Sequence, residues 1–491
     1  MKFIGLRLCE HDSNITYVDG INVKYYKSER DYQIKHHGYK NLTGWTHLLK
    51  KWNIDPQQID AVGIVLDCFR YPYIKCDEKK IIECIDIEVF YALGFNCPIY
   101  RIDHHYAHKL SIWPLNVKTD LDFVYDGFGD DKIVHTIFSD DKKILVNTLD
   151  ECESLGILMA NFGKIMNLSG NPLDFAGKLM ALKGFSNIKK YDNNLNITDL
   201  NQVWDIKKFK KLTERQQIIN FIGNSHEVTE NIFCNHFLNF YKNNYTFSYS
   251  GGIAQNTIIN TKIKEKIPSI HIPPHCNDDG LSLGIVECLR LIYNQPKLTI
   301  NNFPFCQDDE CPNEDPSDQL ISETAELLAN GKIVGWYQGH GEIGPRALGN
   351  RSILMDPSIR NGKEILNNKV KKREWFRPFG ASILEEYTKD YFDWNDTSPY
   401  MLYVMEILNK QIFPSITHID GTCRIQTVSS FHKNYYKLID KFREITGIPM
   451  LLNTSLNNGG KPISGKITDA LELLYSSDLD YLVVGNCIYK K

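Results

Sequence analysis

Gly344-Pro345-Arg346-Ala347-Leu348-Gly349-Asn350-Arg351-Ser352 sets two guanidinium groups, an amide and a hydroxyl in a stretch that proline stiffens and glycine loosens. That is the composition of an oxyanion-binding loop. Arginine forks match the oxygen spacing of phosphate and carboxylate, and glycine lets backbone N–H groups approach a ligand closely. A second basic segment, Lys369 to Arg377, is closed by Pro378-Phe379 and would bring further cations to the same pocket. The second stretch alone reads equally as a solvated charged surface helix. Together, with proline and glycine at set points, they predict an anion site.

Outward from this loop, the 491 residues are enough for two or three domains, and 42% apolar with 24% charged residues is an ordinary globular composition. A net charge of −4 gives no overall field that favours nucleic acid or an anionic membrane, so a basic site has to be local. The thirteen cysteines include no Cys-x-x-Cys pair, and no signal peptide or apolar run of membrane-spanning length is evident. They read as reduced thiols in a cytoplasmic protein.

Short apolar runs alternate with longer helical patterns up to about residue 295, an α/β arrangement. Phe3 to Leu8, Ala61 to Leu66 and Phe123 to Tyr125 read as strands; Ile81 to Leu93 and Gln217 to Phe240 read as helices, the second broken at Gly223. Segment 296–317, rich in proline and acid, reads as a linker. Beyond it a helix from Gln319 to Asn330 and a strand from Ile333 to Tyr337 open a new α/β unit. The expected division is therefore 1–315 and 318–491. No short-period repeat is evident.

Three constellations in the first part carry chemistry. If Asp103-His104-His105-Tyr106-Ala107-His108 is helical, His104 and His108 share one face, the geometry of a two-imidazole metal clamp. Asp-Gly turns at Asp126-Gly127-Phe128-Gly129-Asp130 and Asp278-Asp279-Gly280 add carboxylates where strands end. Ser250-Gly251-Gly252-Ile253-Ala254-Gln255-Asn256 follows a strand-like run, so its N–H groups could hold a phosphate or simply make a tight turn; Lys178 of Gly177-Lys178-Leu179-Met180 could add a cation. Finally, His11 in Glu10-His11-Asp12-Ser13 suits a general base, or equally a histidine that bridges two loops.

The order of these motifs resembles the nodulation and antibiotic-biosynthesis O-carbamoyltransferase family, which includes tobramycin and cephamycin carbamoyltransferases. It runs His-Asp-Ser, Asp-His-His-x-x-His, Asp-Gly-x-Gly-Asp, Gly-Lys-x-Met, Ser-Gly-Gly-x-Ala-x-Asn and Asp-Asp-Gly, then the Gly344 loop, Lys371-x-Arg373-Glu374-x-Phe376-Arg377, Ser398-Pro399-Tyr400-Met401, His418-x-Asp420-Gly421-Thr422-x-Arg424, and Asn453-Thr454-Ser455-Leu456-Asn457. The match is colinear over nearly the whole chain. Ala181 stands where the family usually has glycine, and Lys461 where it usually has glutamate.

The resemblance implies an N-terminal actin-like (ASKHA) ATPase-type domain that transfers the carbamoyl group, followed by a YrdC-like α/β domain that forms carbamoyl adenylate. It implies carbamoyl phosphate as donor, with ATP and Mg as co-substrate. Arg346, Arg351, Lys369 and Arg377 would act on the reacting phosphates; Arg373, His418, Arg424, Asn453 and Ser455 would hold the ligands, together with Lys178, Gly251, Gly252, Asn256 and Asp126. His104, His108 and Asp279 would bind a divalent metal, with Asp126 as a fourth ligand direct or through water. Iron is implied by the resemblance, while zinc or manganese would suit a mixed N/O site. His11 would deprotonate the acceptor hydroxyl. The acceptor class stays open among a sugar, an antibiotic or another alcohol, and a hydroxymethylated pyrimidine nucleotide or DNA. Trp204 and Lys207-Lys208-Phe209-Lys210-Lys211 mix cations with aromatics as a strand-binding surface would. A tRNA threonylcarbamoyl-type enzyme and a non-catalytic nucleotide-binding scaffold are the readings from other classes. No membrane partner is expected, and a homodimer is compatible with the sequence.

Overall fold

The computed structural model describes residues 1–8, 11–66, 71–150, 154–187, 200–242 and 244–491; Glu10 of the first motif lies outside them. The chain divides into two compact units: Met1–Ser154, Asn243–Gln255 and Ser269–Asp309 form the first, and Leu155–Lys242, Asn256–Pro268 and Glu310–Lys491 the second.

The first unit holds two sheets. One comprises β1 (Lys2–Arg7), β2 (Asn14–Asp19), β3 (Asn22–Lys27), β4 (Ala61–Val65), β5 (Ile82–Ile85) and β6 (Ile99–Ile102), in the order β3-β2-β1-β4-β6-β5. The other comprises β7 (Leu121–Tyr125), β8 (Ile133–Ser139), β9 (Lys142–Thr148), β10 (Phe247–Ser250) and β11 (Ile270–His271), in the order β9-β8-β7-β10-β11. In each, the first three strands form an antiparallel meander and two later strands, β4 and β6 in one sheet and β10 and β11 in the other, add in parallel to the first strand's free edge, while β5 pairs antiparallel with β6. One topology used twice is the actin-like arrangement.

The helix Leu281–Ile292 lies on the first sheet and against the helix His104–Leu110. Its approach is close: a Cβ at Gly284 would sit 1.8 Å from the Ala107 carbonyl oxygen. The parallel strands β1, β6, β7 and β10 all end toward the motifs quoted above, where ligands of open α/β sheets bind.

The second unit is built on one mixed sheet. Its strands are β12 (Val334–Tyr337), β13 (Arg351–Met355), β14 (Gly380–Leu384), β15 (Tyr403–Glu406), β16 (Thr422–Val428), β17 (Met450–Ser455), β18 (Tyr481–Val484) and β19 (Cys487–Lys490), in the order β15-β16-β14-β17-β13-β12-β18-β19. The helices Asp318–Ala329 and Lys433–Thr446 bury Leu320, Leu328, Leu438 and Phe442 in a core with Trp336 and Val483.

Several expectations are corrected. Residues 82–85 form strand β5, and only Glu88–Ala92 is helical, because Cys84 and Ile85 pair with Tyr100 and Ile99. The helix Arg215–Phe240 runs unbroken through Gly223, whose neighbours Ile222 and Ser225 are buried; packing outweighs the cost of about 1 kcal/mol for a mid-helix glycine. Segment 296–317 is anchored rather than a free linker. Gln307 bridges Tyr25 in the first unit, while in the second the Glu310 N–H donates to the Gly465 oxygen. A single cut near 315 also groups the chain differently from the structure. Asn260 and Thr261 hydrogen-bond the backbone of Leu402 and Val404, which fixes 256–268 within the second unit. Cys76 is disulfide-bonded with a partner outside the described residues, so the thiols are not all reduced. Among the described residues no helix is long and apolar enough to cross a membrane.

Buried Glu230 on the helix Arg215–Phe240 accepts from Lys183 and from His226 at 2.7 Å. Burial opposes its charge, but His226 and Lys183 hold the carboxyl at about 2, below the ordinary 4.5. A depressed carboxyl stabilises the fold above its unfolded pKa and loses that contribution as pH falls. Glu230→Gln should therefore lower the thermal midpoint at pH 7 and flatten its decline between pH 4.5 and about 2. An unchanged acid limb in calorimetry contradicts this.

Candidate metal centre and anion site

Four side chains from three segments of the first unit point at one spot. The Asp103 carboxylate accepts from the Tyr106 N–H at 2.8 Å and starts the helix His104–Leu110, which puts His104 and His108 on one face with ring centroids 4.9 Å apart. Asp126 follows β7. Its Oδ1 accepts the Gly252 N–H at 2.8 Å, which leaves Oδ2 3.0 Å from His104 Nε2 and 3.7 Å from His108 Nε2. Asp278 Oδ1 lies 3.5 and 3.3 Å from the same two nitrogens. All four side chains are nearly buried. Ligands about 2.1 Å from one ion lie about 3.4 Å from each other in a tetrahedron, so these separations fit a metal ion. Neither ring nitrogen of His108 has a hydrogen-bond partner, which supports the same fit.

Electrostatics hold the cluster ready for a cation. Burial and the Asp278 charge oppose ionisation of Asp126, yet the hydrogen bond to His104 and the neighbouring His108 imidazole keep it below the usual carboxylate range. Asp278 is also held well below its ordinary value: burial opposes this, and Arg7, 2.6 Å from Oδ2, leads the groups that outweigh it. Burial works against a charge on His104, but the two carboxylates push its pKa up to about 10. A proton shared with His104 thus stands where a metal ion would.

Asp279, expected as a ligand, turns away. Its Oδ1 meets Lys27 Nζ at 2.6 Å. Its neighbour Asp278 is the one that faces the two histidines, and sequence could not separate two adjacent aspartates. His11 lies beside the cluster with Nδ1 3.2 Å from Asp12 Oδ2 and 3.9 Å from Asp278 Oδ2. Its side chain is 39% exposed, the most open of this group, so an external hydroxyl can reach it. Burial lowers its pKa, but Asp12 and Asp278 outweigh this and raise it.

Gly251 and Gly252 do not form a free phosphate loop. Gly251 donates to the Cys276 oxygen and Gly252 to Asp126. Gly251 has φ +92°, and a Cβ there would sit 2.0 Å from the Tyr125 oxygen, so the turn is one that positions Asp126. Asn256, in the second unit, caps the helix Thr257–Lys266 through Ile258 and Ile259 N–H, each at 3.2 Å.

In the second unit four arginines converge. Burial, then the charges of Arg377 and Arg424, hold Arg373 well below the usual guanidinium range. Burial, then Arg346 and Arg377, do the same for Arg424. Arg346 and Arg377 beside the buried guanidiniums of Arg373 and Arg424 concentrate positive charge in one place, the character of a polyanion site. Lys178 joins this unit rather than the Gly251 turn, paired with Glu374 at 2.5 Å. Glu374 also approaches Arg377 at 3.8 Å.

Other predicted members have structural roles. Arg351 opens β13 fully buried; its fork donates to the carbonyls of Gln338, Asn350, Glu310 and Gly339, and its plane stacks on Tyr337 at 3.6 Å. Lys369 is exposed and 3.7 Å from Asp478. The buried lysine is Lys371, which holds the Ser455 and Asn457 carbonyls at 2.6 and 2.8 Å and contacts Ser455 Oγ at 3.2 Å. Asn453 is buried and donates to Ala347 O and Ser382 Oγ, bracing the loop beneath Arg346. His418 Nε2 bonds the Ala181 oxygen at 3.0 Å, and burial lowers its pKa. Sequence reasoning missed Glu342, whose Oε1 accepts from the N–H groups of Leu348, Asn350 and Arg351 and folds the loop around itself. Trp204 and Phe209 are both buried, so only the lysines of that run face solvent.

Residues 325–491 match the family model described as Carbamoyltransferase C-terminus. Nodulation protein NolO of Bradyrhizobium diazoefficiens is 36% identical over 270 residues, 49% of this chain and 48% of that protein. 3'-Hydroxymethylcephem-O-carbamoyltransferase of Amycolatopsis lactamdurans is 30% identical over 230 residues, 45% of this chain and 44% of that protein. An uncharacterized protein of Methanocaldococcus jannaschii is 27% identical over 438 residues, 80% of this chain and 82% of that one. The chain spans less than half the length of the nodulation proteins it matches. The second unit thus carries the match to the carbamoyltransferase C-terminal family model, and the chain is similar over about half its length to nodulation and O-carbamoyltransferase proteins.

The two arginine roles separate by experiment. Arg351→Lys should cost about 3 kcal/mol of stability by stranding buried carbonyls. Arg377→Lys should leave the thermal midpoint nearly unchanged but weaken pyrophosphate binding about tenfold, since a point charge replaces the fork. Calorimetry and titration read both, and the reverse pattern contradicts the assignment.

Proposed function

We propose that the protein is an ATP-dependent O-carbamoyltransferase that moves the carbamoyl group of carbamoyl phosphate, through carbamoyl adenylate, to an acceptor hydroxyl. The observation that carries this reading is the carbamoyltransferase match over 325–491, within which Arg346, Arg373, Arg377 and Arg424 converge. Water releases phosphate from carbamoyl phosphate and leaves carbamate. A carbamate oxygen attacks the α-phosphorus of ATP, the bond to the β-phosphate breaks, and pyrophosphate leaves. Carbamoyl phosphate and ATP bring several negative charges, which the arginines neutralise as charge moves between phosphates.

Transfer belongs to the first unit. The acceptor oxygen attacks the carbamoyl carbon, the carbon–oxygen bond to AMP breaks, and His11 takes the hydroxyl proton, held by Asp12 and open to the approaching alcohol. His104, His108, Asp126 and Asp278 would hold a divalent ion, with iron favoured over zinc or manganese by the resemblance alone. When bound, it supplies positive charge for the adenylate phosphate and the leaving AMP. The chain works as a soluble cytoplasmic enzyme. The relative from Amycolatopsis lactamdurans is named for a 3'-hydroxymethylcephem, so primary alcohols on small molecules are the first acceptors to test. The burial of Trp204 and Phe209 removes the aromatics that would stack on a nucleic-acid acceptor.

The test measures phosphate and AMP release from carbamoyl phosphate and ATP, with and without sugars, hydroxymethyl compounds and hydroxymethylated nucleotides. AMP that needs carbamoyl phosphate and rises with one acceptor supports the reading, and nucleotide binding without that dependence overturns it. His108→Ala should remove bound metal and stop transfer while carbamoyl-phosphate-dependent phosphate release continues. Survival of transfer in metal-free protein contradicts the division of labour.

A further inference from the structure

A second convergence in the first unit has a cation at its centre. Lys27 ends β3 with its side chain 3% exposed, and its ammonium meets three carboxylates: Asp279 Oδ1 at 2.6 Å, Glu29 Oε1 at 2.9 Å and Asp12 Oδ1 at 3.6 Å. His36 completes the shell. Its Nδ1 is 3.0 Å from both Asp12 oxygens, and its backbone N–H donates to Glu29 Oε2 at 2.9 Å. Ligand atoms of Asp12, Glu29 and His36 lie within 4.8 Å of one another, the spacing expected around a single ion.

The backbone is bent to build this shell. Asp12 and His36 sit at φ +53° and +56°, a region that non-glycine residues enter at a cost and keep only where their surroundings demand it. Asn14 ties the two sides together by donating to the Asp12 and Asp278 carbonyls at 2.7 and 2.8 Å. Three buried carboxylates around one point repel strongly unless a cation sits among them.

We propose that Asp12, Glu29, His36 and Asp279 form a second cation site whose resident cation is the Lys27 ammonium in place of a metal ion. Two consequences follow from the geometry. Lys27 draws Asp279 away from His104 and His108, so Asp278 alone of the aspartate pair faces that cluster. It also fixes Asp12, whose Oδ2 meets His11 Nδ1, which makes Lys27 a positioning residue for the proposed base. This second consequence rests on the transfer reading above, whereas the cation site does not.

The experiment removes the ammonium and counts ions. Full-length wild type, Lys27→Ala and Lys27→Arg are equilibrated with excess Co2+, freed of unbound metal and counted by mass spectrometry. Lys27→Ala should hold one Co2+ more per chain than wild type, and Lys27→Arg no more than wild type. Equal counts in wild type and folded Lys27→Ala overturn the proposal. If Lys27→Ala folds only with a supplied cation, Co2+ or ethylammonium should restore the wild-type circular dichroism; failure with both overturns it as well. Where the wild type is active, transfer kcat in Lys27→Ala should fall about tenfold or more, with acceptor KM and phosphate release little changed. Unchanged transfer removes the positioning role. A wild type without transfer refutes the function, and the cobalt count still decides the cation site.

Discussion

Buried charge sets the terms for this protein. In the first unit two ionised carboxylates, Asp126 and Asp278, sit out of water beside two imidazoles; Arg7 pairs with Asp278 and the Gly252 N–H donates to Asp126, and a shared proton or a metal ion adds to that compensation. The cluster exists because four chain segments end at the same edge of two sheets with one topology. Strand β6 delivers the histidine helix, β7 delivers Asp126, β10 delivers the glycine turn that grips it, and the helix Leu281–Ile292 begins just beyond Asp278. Small residues let these segments meet. With a side chain at Gly284, the histidine helix could not approach so closely.

The second unit poses the same problem with the opposite sign. Burial and the charges of neighbouring arginines hold Arg373 and Arg424 below the usual guanidinium range, and the loop that carries Arg346 is shaped by a buried acid, Glu342, whose Oε1 accepts from backbone N–H groups. Arg351, five residues along, has its fork turned to carbonyls and so builds the loop rather than the site. The proposed reaction, which would gather phosphates at one place and release AMP at another, would draw on these opposite charges.

Much of this was legible in the sequence where local geometry decides it. The i, i+4 spacing of His104 and His108 specifies a shared helix face, and the Asp126-Gly127 turn follows β7 as expected, whereas Asp278-Asp279-Gly280 lies well beyond β11 and leads into the helix Leu281–Ile292. The duplicated sheet topology left no trace in the sequence, because its two copies share strand order without a repeated motif. Choices of one residue among neighbours were illegible for the same physical reason each time. Asp278 rather than Asp279 faces the histidines because Lys27, far away in sequence, claims the other. Lys371 rather than Lys369 points inward because the chain passes through a π turn, Leu366–Val370, just before it. Arg351 is structural because it is already the first residue of a strand.

The central claim is that His104, His108, Asp126 and Asp278 hold one metal ion. X-ray absorption at the metal edge of the purified, metal-loaded protein tests this most directly. The account predicts a first shell of oxygen and nitrogen near 2.1 Å with the multiple scattering of two imidazoles, the imidazole signal falling by half in His104→Ala. A spectrum without imidazole scattering, or one unaltered by that substitution, would place the metal elsewhere and contradict the account.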